Sequence, residues 1–183
     1  MRVLGVDPSL RCTGLALVVN GVLTAHRIKT EKVRTLREQR DQVRYIVGSV
    51  LRFAGPLDLA LVESMYVPTG EGKQAGAVIE RAWVWGMVVD QLFQRCPVVE
   101  VTTKQRAKYA ADNGNADKAA VKAAVRAAFP GIPFRDDNEA DAIALAAMGA
   151  RHLGAPIDGA GTKKQLEVMA AVAWLVITEE RDA

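Results

Sequence analysis

The sequence predicts an α/β fold in which a mixed five-stranded sheet carries helices on both faces. Two observations predict it. An apolar strand is followed by two further strands joined at an Asn20-Gly21 turn, the usual pattern of an antiparallel three-stranded unit. Helical periods then alternate with short apolar runs, which is typical of strands added to a sheet through helical connections.

Each element follows from local periodicity and from turn residues. We expect strands at about residues 2–7, 13–19, 22–29, 58–63 and 98–102. We expect helices at about 35–53 (with an apolar stripe that includes Leu36, Val43, Ile46, Val47 and Val50), 73–95, 103–111, 117–129 and 138–152. Residues 1–153 are interpreted as one domain, followed by a segment at 154–183 in which Gly154 to Gly161 form a flexible linker to a helix at about 163–180.

Composition narrows the class of protein without identifying it. The chain has 183 residues, half of them apolar, which is enough for one domain with its own core. A net charge of +3 and a pI near 9.0 are compatible with a polyanionic partner. Cys12 and Cys96 are expected to be buried free thiols in a reducing, cytoplasmic compartment. Asp7 interrupts the first apolar run, and the run from Met169 to Ile177 is too short for a bilayer, so neither a secretory signal nor a membrane span is expected.

Acidic residues terminate two of the apolar strands. Asp7 ends the first and Glu63 ends the fourth, and ligands of open sheets collect at the carboxyl ends of strands. Asp7 alone has a second interpretation, as the residue that caps the turn at Pro8-Ser9. Asp141 follows on a helix, on the same face as Asn138 and Asp137, either of which can also cap that helix.

Three carboxylates from distant parts of the chain repel one another unless a cation lies among them. Because no pair of His or Cys residues is near them in the sequence, their oxygen ligands favour Mg²⁺, with Mn²⁺ as a substitute. Two such ions would activate a water and stabilise the leaving oxygen in phosphodiester hydrolysis.

The segments GVDPSLRCTG, LVES and NEADAIALA, in this order, resemble the RuvC family of Holliday junction resolvases from Met1 to about Leu153. The resemblance implies a ribonuclease-H-like fold and a magnesium-dependent endonuclease. Such an enzyme cuts DNA four-way junctions by symmetric paired nicks, leaving 5′-phosphate and 3′-hydroxyl ends. It also implies that Asp7, Glu63 and Asp141 bind the catalytic metal. The short length and the loose match in the loops are typical of a phage-type member.

One position departs from the family pattern. Asn138 stands where the family usually has an Asp or a His, three residues before the last acid. An amide oxygen can bind a cation, but it brings no charge and cannot act as a base. Asn138 is therefore the positional equivalent, and Asp137, one turn before Asp141, is a second hypothesis for the missing charge.

A basic, glycine-punctuated patch is the expected DNA surface. It contains Lys104, Arg106, Lys108, Lys118 and Lys122. The resemblance to the basic loop of the family favours Lys108 and Lys118, whereas Asp112 and Asp117 support the alternative of an ordinary solvated helix face. Arg11 is a weaker candidate. Tyr66, three residues after Glu63, is expected to stack on an unpaired base, or else to pack under Pro68.

The remaining expectations concern partners and alternative functions. The helix at 73–95 is apolar on more than one face, which indicates either burial within one subunit or, as the resemblance implies, a homodimer. The loop at 68–73 lacks the Gly-Lys-Ser/Thr ending of a phosphate-binding loop, so no nucleotide cofactor is expected. Two alternatives stay open: a ribonuclease-H-like nuclease acting on RNA–DNA hybrids or broader branched DNA, and a catalytically weak junction-binding protein.

Overall fold

Five strands form a single mixed sheet in the computed structural model, which describes residues 1–65 and 75–174. The strands are β1 (Arg2–Asp7), β2 (Cys12–Val19), β3 (Val22–Lys29), β4 (Leu59–Glu63) and β5 (Val98–Val101). Their spatial order is β3-β2-β1-β4-β5, antiparallel from β3 to β1 and parallel from β1 to β5. The predicted α/β class and the five-stranded mixed sheet are confirmed.

Helices cover both faces of this sheet. They are α1 (Leu36–Ala54), α2 (Ala75–Phe93), α3 (Thr103–Ala111), α4 (Lys118–Ala128), α5 (Asp137–His152) and α6 (Lys163–Ala171). α1 and α2 enclose one apolar core with the sheet, and α5 encloses the other together with α3, α4 and α6. No helix in the described part of the chain is both long and apolar enough to cross a bilayer.

Local signals explain where several elements begin and turn. Asn20 and Gly21 adopt φ values of 49° and 86°, the left-handed pair that a tight hairpin needs. Thr35 and Thr102 cap α1 and α3, each in a reciprocal capping box with the residue three positions later. Thr102 follows β5 directly, so α3 starts at the carboxyl edge of the sheet.

Helix α5 lies unusually close to the sheet because two strand residues have no side chain. A Cβ added at Gly5 of β1 would overlap the carbonyl of Ala142, and one at Gly14 of β2 would overlap the carbonyl of Asn138. From Glu139 to Ala150 every residue of the helix is buried. This close packing brings the first turns of α5 against the ends of β1 and β2.

The structure corrects three local expectations. Leu36 does not join the apolar stripe of α1 but is 74% exposed, in a surface groove beside Trp83. Asp136, rather than Asp137 or Asn138, caps α5, because its side chain accepts the Glu139 amide hydrogen. The helix that begins at Lys163 ends at Ala171, since the chain becomes extended at Val172; residues 175–180 of the helix expected at 163–180 lie outside the described residues.

The segment after α5 is tied to the rest of the protein. Asp158 accepts hydrogen bonds from Arg151 at 2.5 Å and from the Tyr109 hydroxyl at 2.6 Å. Beyond it, α6 packs against α3, and Trp174 stacks on His152 with ring centroids 3.8 Å apart. The boundary at residue 153 stays a prediction, but within the described residues this segment is docked on the preceding domain.

Candidate metal centre and nucleic-acid interface

Three carboxylates converge at the carboxyl edge of the sheet. Asp7 and Glu63 end the neighbouring parallel strands β1 and β4, so the two side chains emerge at the same edge. Asp141 reaches them from the second turn of α5, which Gly5 and Gly14 allow to lie close. One oxygen from each of the three lies within 4.8 Å of the others. We call Asp7, Glu63 and Asp141 the acidic cluster.

The acidic cluster is electrostatically unfavourable by itself. Burial, followed by repulsion from Glu63 and Asp141, raises the pKa of Asp7 well above its usual range. Burial also raises the pKa of Asp141 to about 7; repulsion from Glu63 adds to the rise, and attraction to Arg106 opposes it. Carboxyl groups held in this way are typical of functional sites, and a divalent cation would relieve both effects.

The guanidinium of Arg106 lies inside the acidic cluster. Its Nη1 forms an ion pair with Asp141 Oδ1 at 2.6 Å, and its Nη2 and Nε donate to Glu63 Oε1 at 3.0 and 3.3 Å. Arg106 is only 5% exposed. The structure therefore corrects its expected position: Arg106 points inward from α3 and is not part of the surface patch. A guanidinium buried in this way would be prohibitively unfavourable without its carboxylate partners.

A cavity of about 360 Å³ opens over the acidic cluster, lined by one predicted DNA-binding residue, Lys118, and by two residues of α2 that the sequence did not indicate. Arg81 and Trp85 of α2 line it, as does Lys118 at the start of α4. The Trp85 indole donates to the Glu63 carbonyl at 2.8 Å and so holds the end of β4. Arg81 and Trp85 are four residues apart on one helix face, a spacing that could have singled them out.

Asn138 and Asp137 take different positions around the cavity. Asn138 lines it, and its amide nitrogen donates to the Cys12 carbonyl, which leaves Oδ1 as the polar atom available to a cation or a substrate. Asp137 does not line it. Its carboxylate pairs with Lys118, and this pairing lowers the pKa of Asp137. The geometry thus favours Asn138 over Asp137 as a neighbour of the acidic cluster.

The other predicted DNA-binding residues are dispersed. Lys104 and Arg11 are exposed, and Arg11 is 3.9 Å from Glu31. Lys122 donates to the Arg135 carbonyl at 2.6 Å. Lys108, one of the two favoured lysines, is paired with Glu167 of α6 at 2.9 Å and so is engaged with the protein itself. Tyr66 lies outside the described residues.

Comparison with known proteins identifies the family. The model of the family described as crossover junction endodeoxyribonuclease RuvC matches residues 3–149. The chain belongs to the RuvC family. The predicted resemblance is thereby confirmed, as is its assignment to the endodeoxyribonucleases.

Individual RuvC relatives and structures agree with this assignment. The RuvC endonuclease of Methylorubrum extorquens (strain PA1) is 30% identical over 165 residues, which cover 85% of this chain and 82% of the relative. That of Paracidovorax citrulli is 31% identical over 176 residues, covering 91% and 92%. The Thermus thermophilus RuvC structure matches 85% of this chain and 98% of its own, with a TM-score of 0.61 and 26% identity. The ribonuclease-H-like fold expected from the sequence is therefore confirmed.

Proposed function

We propose that this RuvC-family chain is a magnesium-dependent, structure-selective endonuclease that cuts DNA four-way junctions by symmetric paired nicks. The convergence of Asp7, Glu63 and Asp141 within 4.8 Å carries the proposal. These residues come from three elements far apart in the sequence, and their mutual repulsion has no structural benefit. Relatives with this family name act on the same class of DNA.

The acidic cluster has the donor chemistry for a hard divalent cation. All three ligands are carboxylate oxygens, and Asn138 adds an amide oxygen at the cavity wall. Oxygen-only donor sets favour Mg²⁺ or Mn²⁺. A cation held there would lower the pKa of a water and stabilise the charge that develops on the phosphate.

The residues of the chain itself would bind and orient the DNA strand. Arg81 of α2 and Lys118 of α4 bring positive charge to the cavity that opens over the acidic cluster. We propose that they hold the phosphates next to the cut site, with Lys104, Lys122 and Arg11 contacting the strand farther out. For Tyr66 we retain the stacking role expected from the sequence.

A homodimer paired across α2 is proposed from the apolar side chains that this helix exposes. Ile79 is 68% exposed and Phe93 is 57% exposed. A partner that covered this helix would remove both side chains from water. A twofold dimer would place two acidic clusters symmetrically, as paired nicks on a four-way junction require.

The direct test is cleavage of a synthetic mobile four-way junction in Mg²⁺. Wild type should produce symmetric nicks with 5′-phosphate ends, and Asp7→Asn should produce none while still binding the junction. A flap and an RNA–DNA hybrid of equal length serve as competing substrates. If the hybrid or the flap were cleaved faster than the junction, the proposed junction specificity would be wrong and the faster substrate would be the preferred one.

A second candidate, a junction-binding protein that cleaves weakly, is favoured by the pairing of Arg106 with Glu63 and Asp141. A guanidinium in this position already neutralises part of the negative charge that would attract a metal ion. This candidate predicts tight binding of the junction and no nicks in either Mg²⁺ or Mn²⁺. Nicks that depend on Asp7 would exclude it.

A further inference from the structure

Arg106 is built into the acidic cluster by the local geometry of α3. The helix starts directly after β5 at the carboxyl edge of the sheet, and helical side chains lean toward the N-terminus of their helix. Arg106, in the first turn, is thus aimed at the strand ends that carry the acids. Its side chain is 6% exposed, and its nitrogens form ion pairs with both Glu63 and Asp141.

The charges of these buried groups do not balance. Three carboxylates and one guanidinium sum to −2 when the acids are ionised, and a guanidinium keeps its charge throughout the pH range in which proteins are folded. One divalent cation would make this group of side chains neutral, whereas two would leave it at +2. Asn138 lines the same cavity and contributes no charge.

We propose that Arg106 is a permanent cationic member of the metal centre, so that the free protein binds one divalent cation at the acidic cluster rather than two. This proposal rests on the proposed function, because it assumes that the acidic cluster holds metal. It revises the expectation of two ions from the sequence. Arg106 acts through the carboxylates it orients and is a positioning residue.

The contacts of Arg106 leave carboxylate oxygens of all three acids open to one ion. Arg106 engages one oxygen of each partner, Glu63 Oε1 and Asp141 Oδ1. The second oxygen of each carboxylate and both oxygens of Asp7 are not among its ion-pair contacts within the described residues. A cation can therefore bind without displacing the guanidinium, which fixes the orientation of two of its ligands.

The test counts ions bound by the free protein. Wild type and variants are titrated with Mn²⁺ in the absence of DNA, by electron paramagnetic resonance for free Mn²⁺ and by calorimetry. Wild type should bind one Mn²⁺ per chain. Arg106→Met removes the charge but retains an unbranched, apolar side chain, and it should bind either two ions or the first ion about tenfold more tightly. Arg106→Lys keeps the charge and should again bind one.

Two results would overturn the proposal: two Mn²⁺ of similar affinity on wild type, or an Arg106→Met variant with the stoichiometry and affinity of wild type. Circular dichroism monitors folding, and if Arg106→Met does not fold, the wild-type count alone decides. Two ions together with Asp7-dependent cleavage would reject only the role of Arg106. No bound Mn²⁺ together with no cleavage would reject the proposed function as well.

Discussion

Helices α3 and α5 meet at two groups of buried charged residues, one balanced and one not. At the far end of α5, Arg151 donates to Asp158 at 2.5 Å and to the Tyr109 hydroxyl at 2.9 Å. The Arg151 and Asp158 side chains are only 9% and 3% exposed. One cation faces one anion here, and we call these three residues the Arg151 cluster.

The acidic cluster, near the start of the same helix, also combines carboxylates with a guanidinium, but in a different ratio. A single guanidinium, that of Arg106, faces three carboxylates. The Arg151 cluster needs nothing from outside the chain. The excess of negative charge at the acidic cluster destabilises the fold unless a cation is added.

This difference separates a structural group of charges from a functional one. Buried charges are tolerated when they are paired and hydrogen-bonded, as in the Arg151 cluster. Where the pairing is incomplete and the pKa values are raised, as for Asp7 and Asp141, the unfavourable energy indicates a ligand. Burial and ion pairs alone would have classed the two clusters together, whereas net charge distinguishes them.

The largest expected effect separates activity from stability at the acidic cluster. Asp7→Asn removes a metal ligand and one of the repelling charges. Junction cleavage in Mg²⁺ should fall at least about 100-fold, since even residues that merely orient metal ligands have effects of this size. The metal-free variant should nevertheless be more stable than wild type by roughly 0.5–2 kcal/mol. Cleavage rates and urea denaturation in EDTA measure the two effects.

Asp41→Asn is the matched control for this change. Asp41 lies on the exposed surface of α1, where it pairs with Arg40. The Asp41→Asn substitution should leave both junction cleavage and stability nearly unchanged. If Asp7→Asn destabilised the metal-free protein, the acidic cluster would be contributing to the fold as the Arg151 cluster does.

The opposite behaviour is expected at the Arg151 cluster. Asp158→Ala leaves the guanidinium of Arg151 buried without its carboxylate, and loss of one partner of such a pair typically costs about 3–5 kcal/mol. Urea denaturation should show this loss equally in EDTA and in Mn²⁺. At a temperature where the variant is folded, its affinity for Mn²⁺ should match that of wild type. A weakened affinity would mean that the two clusters are coupled through α3 and α5.

The sequence predicted the acidic cluster well because its members lie at positions with a strong local pattern. Apolar runs that end in an acid fix Asp7 and Glu63 at strand ends, and neighbouring strand ends must meet. Helical spacing placed Asp141 on the face near Asn138. The family resemblance added the expectation that these residues bind metal together.

The Arg151 cluster and the position of Arg106 could not be predicted in this way. Arg106 lies in a run of charged residues on a nine-residue helix whose apolar residues define no clear face, so it was interpreted as part of a solvated surface. Asp158 lies in a glycine-rich segment without periodicity, and Tyr109 is 49 residues away from it. The tertiary packing of α3 determines both the Arg151 cluster and the position of Arg106, and the sequence offered no local signal for that packing.

A smaller effect concerns pH and again distinguishes the two clusters. The pKa of Asp141 is raised, to about 7, from a reference value of 3.8. Between these values the folded chain holds a proton that the unfolded chain releases, so the stability contribution of this group declines as pH rises. The metal-free melting temperature should therefore fall between pH 5 and 7, by roughly 2–4 °C for each kcal/mol lost.

Three comparisons test the origin of this pH dependence. Asp141→Asn should reduce the slope. Saturating Mn²⁺ should reduce or reverse the fall in stability with rising pH, because metal binding needs the deprotonated carboxylates. Asp158→Ala should leave the slope unchanged. A metal-free slope identical in wild type and Asp141→Asn would place its origin in a group other than Asp141, and Asp7, whose pKa is also raised, would be the next variant to measure.

The smallest effect is expected at Asp137, which the sequence left as a second hypothesis for a metal ligand. In the structure its carboxylate pairs with Lys118, whose side chain is 76% exposed, so this is a balanced pair at the rim of the cavity. Asp137→Asn should change stability by less than about 1 kcal/mol and leave Mn²⁺ affinity as in wild type. It should strengthen junction binding slightly, because Lys118 loses a competing carboxylate and gains freedom to contact phosphate.

The matched variant Lys118→Met separates the two members of this pair. It should weaken junction binding and reduce the dependence of log Kd on log salt concentration by about 0.9, the value expected when one phosphate contact is lost. Both variants are measured by fluorescence anisotropy at several salt concentrations in Ca²⁺, with Mn²⁺ binding followed separately. A drop in Mn²⁺ affinity in Asp137→Asn comparable with that in Asp7→Asn would assign Asp137 to the metal centre. It would also bring the charge of that centre to −3, which would remove the electrostatic reason for a single ion.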